Sequence, residues 1–159
     1  MSHSQYHSHQ CIAVAASTGQ RCRLRTARGR KCWHHTQRDE NLRVKRSTVP
    51  NAGLGLFVAR DRVRKGERIT QYTGEDLTKA QVQQRYGERT GQYVYCASKN
   101  KCKDARRTDE RGLGRWANAP RGTGKRANAK LTTGNNLKAK RNIQPGQEVL
   151  VSYGRDYWK

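Results

Sequence analysis

The chain has 159 residues and a formal net charge of +22, and its length allows one ordinary domain with a small appendage. It contains no run of about 18 apolar residues, which excludes a typical membrane-spanning helix. Leu, Ile, Val and Phe together number only 22, as in disordered chains, but seven Tyr and three Trp among short apolar runs favour a folded domain with a thin core. The excess of Lys and Arg predicts a partner rich in negative charge, such as DNA or RNA.

The first ten residues, 1–10, are polar and are expected to form a disordered tail. They contain no apolar stretch of the kind found in secretory signals. The chain has five cysteines, an odd number. Without a secretory signal, these cysteines favour metal ligands or free thiols over a disulfide framework.

Residues 11–36 have the pattern of a small metal-binding module. Its candidate ligands are Cys11, Cys22, Cys32 and His35. Gly19 and Gly29 each lie three residues before a cysteine, where they permit the tight turns that bring thiolates together. Three thiolates and one imidazole form the closed tetrahedral set that structural zinc prefers. We therefore predict a CCCH zinc module, with His34 as an alternative ligand and metal-free cysteines as the alternative interpretation.

Residues 37–43 are polar and are predicted to link this module to a main domain over residues 44–159. In the main domain, short apolar runs alternate with glycine and proline, which is typical of β-strands. The predicted strands cover residues 56–59, 68–72, 93–96 and 149–153. One helix is predicted over residues 77–86, with Asp76 or Thr78 as its cap, and a weaker one over 112–118. The predicted fold class is mainly β.

Two segments of the main domain, residues 59–69 and 139–149, resemble each other in sequence. Each reads as a strand, a turn that contains glycine, and a second strand. Two such units predict a body of several small sheets.

Four stretches of the main domain carry candidate functional residues, although none is decisive alone. The first places Gly53 and Gly55 before a strand, where a ligand can lie against the backbone because the side chains are missing. The others supply a tyrosine beside a glycine, an Asp-Ala pair with a downstream Arg and Asn, and an aromatic C-terminal end. In chain order they are Asn51–Phe57, Tyr72–Glu75, Asp104–Thr108 with Arg115–Asn118, and Glu148–Trp158.

Taken together and in this order, these stretches resemble the SET-domain protein lysine methyltransferases. The resemblance covers residues 44–158. The ending SYGRDYW is similar to that of minimal SET proteins of large algal viruses, and residues 93–96 and 102–105 are similar to nucleosome-directed methyltransferases of the histone H4 tail. The resemblance implies a SET fold of several small β-sheets with a threaded C-terminal segment.

The resemblance also implies S-adenosylmethionine as cofactor and a set of site residues. Tyr153 would orient the lysine amine, and Tyr72 and one of Tyr93 or Tyr95 would line the lysine channel. The cofactor site would be formed by Gly53, Leu54, Gly55, Asn118, Ala119, Tyr153, Tyr157 and Trp158, with Arg115 as an intradomain support. One motif departs from the family, because Asn118 is followed by Ala119 and Pro120 instead of His-Ser, and the next Asn is Asn128, after a basic loop.

The expected function is methylation of a lysine in a histone or other chromatin protein, with the basic surface docked on nucleosomal DNA or another nucleic acid. No membrane partner is expected. Residence in the nucleus follows from these partners and from the basic cluster at residues 43–46. Two alternatives remain at this point: a non-catalytic SET-fold protein that binds DNA or RNA, and methylation of a ribosomal or other nucleic-acid-binding protein.

Overall fold

Short strands predominate in the chain, and the prediction of a mainly β fold is confirmed. The computed structural model describes residues 8–27, 29–87, 93–106, 112–132 and 134–152. The helical segments are α1 (Trp33–Asp39), α2 (Lys79–Tyr86) and a 3₁₀ turn (Gly114–Trp116). The strands are β1 (His9–Gln10), β2 (Arg25–Thr26), β3 (Leu42–Arg46), β4 (Leu54–Val58), β5 (Arg68–Gln71), β6 (Glu75–Leu77), β7 (Val94–Ser98), β8 (Lys101–Asp104), β9 (Ala129–Leu131), β10 (Asn136–Ala139) and β11 (Val151–Ser152).

Within the described residues, these strands form small separate sheets. Their orders are β11-β9-β10-β5, β6-β8-β7, β3-β4 and β1-β2. In the four-stranded sheet β11 runs parallel to β9, and the other neighbours are antiparallel. Leu137 and Ala139 of β10 are buried while Lys138 between them is exposed, so one face of this sheet covers the core and the other faces solvent.

The thin core predicted from composition lies between the small sheets. Tyr72 is its largest fully buried side chain. The cluster is completed by short aliphatic side chains from most strands, including Leu56, Val58, Ile69, Leu113, Leu137, Ile143, Val149 and Val151.

The two similar segments pair with each other. Val63 and Ile143 exchange both backbone hydrogen bonds, at 2.9 and 2.8 Å. The Gly66 N–H donates to Ala139 O and the Gly146 N–H donates to Val58 O, each at 2.8 Å. The internal similarity therefore corresponds to two turns related by an approximate two-fold axis.

Residues 148–152 are held by three separate segments of the chain. The N–H of Val149 donates to Leu56 O at 2.7 Å, and the N–H of Val151 donates to Asn118 O at 2.9 Å. Leu150 O accepts from the N–H groups of Asn128 and Ala129 at 2.9 and 3.0 Å. The C-terminal segment thus enters the middle of the domain, as the family resemblance implies.

The predicted helix over residues 77–86 is confirmed as α2, and its cap is Thr78. The Gln81 N–H donates to Thr78 Oγ1 and the Thr78 N–H donates to Gln81 Oε1, which is a complete capping box. The weaker helix predicted over residues 112–118 is only a 3₁₀ turn. In the described part of the chain, the helices are too short and too polar to span a membrane.

The linker expected at residues 37–43 is instead the end of α1 and the beginning of β3. The polar side chains of this segment conceal its structure in the sequence, because α1 buries no residue completely and Leu42 is the fully buried residue of β3. The Gln37 side chain also accepts a hydrogen bond from the Val44 N–H at 2.8 Å. The tail over residues 1–10 stays a prediction for residues 1–7, which lie outside the described residues, whereas His9 and Gln10 form β1.

The preference for metal ligands or free thiols over disulfides is wrong for one pair of cysteines. Cys96 of β7 and Cys102 of β8 are bonded to each other. They lie directly opposite each other in an antiparallel hairpin, which brings their side chains together on one face. The other three cysteines are free thiols within the metal-binding cluster.

Candidate active site and metal centre

The four predicted metal ligands come together in one cluster. The ligand atoms of Cys11, Cys22, Cys32 and His35 all lie within 4.8 Å of one another. His35 Nδ1 is 3.5 Å from Cys11 Sγ and 3.2 Å from Cys32 Sγ. In a tetrahedral zinc site the ligand atoms are about 3.5–3.8 Å apart, so the cluster has dimensions that fit zinc.

Short turns position these ligands. Gly19 adopts a left-handed φ of +67°, and the turn it closes lets the Cys22 N–H donate to Ala13 O at 2.8 Å. Cys32 is the N-cap of α1, so His35 lies in the first turn of that helix. His34 lies elsewhere, in the lining of a groove that it shares with Gln37 and Leu42. His35 is therefore the residue that joins the cluster.

The surroundings of the thiols also suit a cation. Cys11 Sγ accepts from the Ala13 N–H at 3.5 Å, and Cys22 Sγ accepts from the Leu24 N–H at 3.4 Å. Burial opposes ionisation of the Cys11 thiol, but hydrogen bonds from the Cys32 and Ala13 backbones outweigh it and lower the pKa of Cys11. Burial raises the pKa of Cys32, and the charge of Cys11 adds to this effect. Ionisation of a second thiol therefore requires a nearby cation. The cluster could bind zinc.

Helix α1 also joins the metal-binding cluster to the main domain. Trp33, the residue after Cys32, packs edge-on against Trp116 with ring centroids 5.8 Å apart. The Arg60 side chain donates to Arg38 O at 2.8 Å at the other end of the helix. The module is thus packed against the body by the same helix that supplies His35.

Three of the four tyrosines predicted at the active site form a second cluster. The Tyr72 hydroxyl donates to Tyr93 O at 2.6 Å, and the rings of Tyr72 and Tyr95 meet edge-on with centroids 6.3 Å apart. Tyr72 is 2% exposed, whereas Tyr93 and Tyr95 are partly exposed and border the core. Burial raises the pKa of Tyr95, so its hydroxyl stays protonated at neutral pH.

Arg115 is packed against this aromatic cluster. Its guanidinium carbon lies 4.1 Å from the Tyr93 ring centroid and 4.2 Å from that of Trp116, within the range of cation–π contacts. Its Nε donates to Ala105 O at 2.7 Å. These contacts lie within the domain, and they place a buried positive charge beside the tyrosines.

The Asp-Ala pair also supports the tyrosine cluster. The Ala105 N–H donates to Tyr93 O at 3.0 Å. The Asp104 carboxylate is buried and accepts hydrogen bonds from Tyr86 Oη at 2.6 Å and Arg85 Nη1 at 2.9 Å. A side chain at Gly74 would clash with the Asp104 backbone carbonyl, which explains why glycine follows Tyr72 at this spacing.

The predicted cofactor strip, Gly53–Gly55, is held by a buried carboxylate. Glu148 accepts from Ser47 Oγ at 2.6 Å through Oε2, and from the Thr48 N–H and Oγ1 at 2.8 and 2.6 Å through Oε1. A Cβ at Gly55 would come within 2.5 Å of Glu148 Oε2, so only glycine fits there. A Cβ at Gly53 would meet nothing within 4 Å, so a ligand has room beside this residue.

Asn118 connects the strip to the C-terminal segment. Its Nδ2 donates to Leu54 O at 2.9 Å, and its backbone carbonyl accepts from the Val151 N–H. Ala119 and Pro120 follow it. Because the 3₁₀ turn with Arg115 ends only two residues before Asn118, one short segment joins the tyrosine cluster to the cofactor strip.

A comparison with protein families decides the identity of this arrangement. The family model described as the SET domain matches residues 53–154. The chain belongs to the SET-domain family. Members of this family are S-adenosylmethionine-dependent lysine methyltransferases.

A solved structure with the same fold is the methyltransferase domain of human PR domain-containing protein 2. It superimposes with a TM-score of 0.54 at 24% sequence identity, over 77% of this chain and 84% of that chain. At this identity the likeness concerns the SET fold. No curated protein sequence matches the chain.

The departure from the SET motif after Asn118 has a structural compensation. Asn128 Nδ2 donates to Glu148 O and its Oδ1 accepts from the Leu150 N–H, each at 2.8 Å. Asn128 therefore holds the C-terminal segment although the basic loop of residues 121–126 separates it from Asn118. Ala119 stands where the family has histidine, and the hydrogen bonds between the Asn128 side chain and residues 148–150 are still formed.

Several important residues lie outside the predicted set or outside the described residues. Tyr153, Tyr157 and Trp158 lie beyond residue 152 and are not described. The roles of Glu148, Trp33 and the Cys96–Cys102 pair were not predicted from the sequence. The cysteines lie three residues before and two residues after the turn at residues 99–100, and a register shift between Cys96 and Ser98 brings them opposite each other, so counting from the turn would not have paired them.

Proposed function

We propose that this chain is an S-adenosylmethionine-dependent protein-lysine N-methyltransferase acting on a histone or another chromatin protein. The observation that carries the proposal is the tyrosine cluster of Tyr72, Tyr93 and Tyr95 in a SET fold, joined by one short segment to the glycine strip. We propose in addition that the Cys/His cluster holds a structural zinc ion, since its four ligands leave no position open for substrate.

The glycine strip is where the cofactor fits. The open space beside Gly53, the exposed Leu54 and the side-chain oxygen of Asn118 would hold it, with Tyr153, Tyr157 and Trp158 as further proposed contacts. When bound, S-adenosylmethionine supplies a methyl group carried on a positively charged sulfur.

The tyrosines supply the environment that a lysine needs to act as a nucleophile. Aromatic faces contact the lysine stem, and hydroxyl groups position its nitrogen. Alignment of this kind accounts for several orders of magnitude in rate. We propose Tyr153 as the residue that orients the amine, with Tyr72, Tyr93 and Tyr95 along the channel.

Two features of this environment favour the neutral amine that the reaction requires. Burial among aromatic rings disfavours the charged ammonium form. The Arg115 guanidinium, 4.1 Å from the Tyr93 ring, adds a positive charge that disfavours it further. Arg115 thereby acts as a positioning residue and an electrostatic one, although it need not touch the substrate.

The net charge supports the proposed class of substrate and partner. A protein of charge +22 repels a free basic tail, so a polyanion such as nucleosomal DNA is needed to bring both together. Residence in the nucleus follows from this proposal. The same argument applies to a second class of substrate, a ribosomal or other nucleic-acid-binding protein, because its nucleic acid would also bring enzyme and substrate together.

A second candidate function is a non-catalytic SET-fold protein that binds DNA or RNA. The observation that favours it is Ala119 with Pro120, where the family has His-Ser. Isothermal titration with S-adenosylmethionine separates the two functions, because a binding module without a cofactor site gives no heat.

The decisive test compares the wild-type chain with the Tyr153→Phe variant. Each is added to a nuclear lysate whose proteins carry little lysine methylation at the start. Methylated lysines are mapped by mass spectrometry after addition of S-adenosylmethionine. We expect methylated chromatin proteins with the wild-type chain and at least a 100-fold lower yield with Tyr153→Phe, in line with the usual contribution of a positioned catalytic side chain. Cofactor binding without any methylated protein would contradict the proposal.

A further inference from the structure

We propose that the solvent face of the four-stranded sheet binds the phosphate backbone of double-stranded DNA, with Lys130, Lys138 and Lys140 as the central contacts. This inference rests on the proposed function for its biological purpose, and it assigns the docking surface to named residues. We call this surface the lysine face.

Cations form a row across the sheet. Lys138 of β10 lies directly opposite Lys130 of β9 on one side and Arg68 of β5 on the other. All three side chains are exposed, while the neighbouring Ala129 and Leu137 are buried. Since adjacent strands are about 4.8 Å apart, the row presents closely spaced positive charges on one side of the sheet.

Lys140 extends this row along the chain. It lies two residues after Lys138, which is the spacing that returns a side chain to the same face. Its N–H donates to Asn128 O at 2.8 Å, so the pairing of β10 with the segment before β9 continues to this position. Lys140 is exposed as well.

The charges of the lysine face are largely uncompensated. Like charges directly opposite each other destabilise a sheet. Arg68 has an ion-pair partner, Glu40, at 3.8 Å. Within the described ranges, no ion pair involves Lys130, Lys138 or Lys140. A bound polyanion would remove this electrostatic cost, which is a physical reason for the arrangement.

Arg141, the residue after Lys140, lines a cationic groove of about 450 Å³ that also includes Leu150, the residue before β11. Lys125, Arg126 and Arg141 line the groove, and the first two belong to the basic loop that separates Asn118 from Asn128. The acidic lining residue is Glu148, whose oxygens already accept hydrogen bonds from Ser47 and Thr48. The groove therefore remains suited to an anion.

The chemistry of the lysine face favours a duplex over a single strand. Proteins bind single strands by stacking bases on aromatic side chains. The exposed residues of β5, β9, β10 and β11 in the described structure include no aromatic side chain. Lys and Arg contact phosphate groups without reading sequence. We therefore assign the face to duplex DNA, bound independently of sequence.

The location of the lysine face agrees with the proposed reaction. Ser152 of β11 lies opposite Lys130 in the same sheet, and it directly precedes Tyr153 in the chain. DNA bound on this face would therefore lie beside the segment that leads to the proposed catalytic residue. A protein already attached to that DNA would be presented close by.

The test measures binding of a fluorescent 20-base-pair DNA by anisotropy over a series of salt concentrations, with the full chain and no cofactor. The variant Lys130→Gln/Lys138→Gln/Lys140→Gln is compared with Lys79→Gln/Lys99→Gln/Lys101→Gln. The second variant removes the same charge from exposed lysines on and around α2 and the β7–β8 hairpin. We expect the first variant to bind about 100-fold more weakly at 0.1 M salt, with a log–log salt slope reduced by about 2.7, and the second to keep most of the affinity.

The folding control is thermal unfolding. Removal of like charges from the lysine face should leave the melting temperature unchanged or raise it. Equal losses in both variants would overturn the assignment, as would an unchanged salt slope or tighter binding of single-stranded DNA or duplex RNA. The assay contains neither cofactor nor lysine substrate, so its result does not depend on methyl transfer. A chain that binds DNA as expected but transfers no methyl group would contradict the proposed function and leave this inference intact.

Discussion

At the scale of single residues, the glycine strip depends on one buried carboxylate. Glu148 is 6% exposed and accepts three hydrogen bonds from Ser47 and Thr48. Hydrogen bonds to an ionised acceptor are about twice as strong as neutral ones. Glu148 also fills the space that a side chain at Gly55 would need. The residue therefore acts as a positioning residue for the segment proposed to hold the cofactor.

We expect Glu148→Gln to lower the affinity for S-adenosylmethionine by about 10-fold and the free energy of unfolding by about 2 kcal/mol. The amide NH₂ cannot accept a hydrogen bond, so at least one donor of Thr48 or Ser47 loses its partner. Isothermal titration and denaturant unfolding give the two values.

The matched control is Glu67→Gln, the same chemical change at an exposed carboxylate. Its effect on unfolding should stay within about 0.5 kcal/mol. Unchanged cofactor affinity in a folded Glu148→Gln variant would show that the strip does not need this carboxylate.

At the scale of elements, α2 is attached to the sheet of β6, β7 and β8 through Asp104. Arg85 donates to Asp104 at 2.9 Å and also to Glu75 at 2.8 and 3.1 Å. Burial opposes ionisation of Asp104, but hydrogen bonds from Tyr86 and Arg85 outweigh it and hold the pKa of this carboxyl below its usual range. Ala105, the residue after Asp104 at the end of β8, supports Tyr93 by donating its N–H to Tyr93 O.

This attachment should make stability depend on pH. Because the folded-state pKa of Asp104 is lowered, its contribution is present above the unfolded-state pKa of about 3.9 and is lost as the pH falls through that value toward the folded-state pKa. We expect Asp104→Asn to be less stable than the wild type by about 2–4 kcal/mol at pH 7, with the difference shrinking below pH 4. Thermal unfolding between pH 7 and pH 3 measures both.

Glu75→Gln provides the contrast for this series. Its side chain is 52% exposed, so its loss should change stability much less than Asp104→Asn does. A difference between wild type and Asp104→Asn that stayed constant down to pH 3 would argue against the ionised carboxylate as the source.

Elements with a local signal could be predicted from the sequence, and elements that depend on distant contacts could not. Helix α2 has its capping box within four residues, and the metal ligands have a characteristic spacing. Helix α1 is polar apart from Trp33, and its position depends on Trp33 meeting Trp116, 83 positions away in the chain. Glu148 likewise contacts Ser47 and Thr48 about a hundred positions away, and no local pattern reports such a contact.

At the scale of the whole molecule, a continuous set of contacts joins the metal-binding cluster to the tyrosine cluster. Cys32 and His35 lie at the first turn of α1 on either side of Trp33, and Trp33 packs on Trp116. Arg115, the preceding residue, lies between Trp116 and Tyr93. The Tyr93 carbonyl in turn accepts the Tyr72 hydroxyl. The module is thus placed to support the proposed lysine channel as well as its own fold.

We therefore expect metal removal to impair catalysis in addition to stability. Small modules of this kind obtain most of their folding free energy from the metal, so a chelator should unfold residues 11–36 and release α1. The edge-on contact of Trp33 with Trp116 contributes about 0.5–1.5 kcal/mol beyond its area. Loss of that contact should reduce kcat/KM by about 3- to 10-fold through displacement of Arg115 and Tyr93.

The variant Trp33→Ala separates this effect from metal loss. It should retain one zinc per chain by mass spectrometry of the metal, and yet reproduce the kinetic defect of the chelated protein. Leu24→Ala, which removes an exposed apolar side chain of the same module, should leave kcat/KM unchanged. If Trp33→Ala kept full activity while the chelated protein lost it, the support would run through another contact of α1, such as the hydrogen bond between Arg60 and Arg38 O.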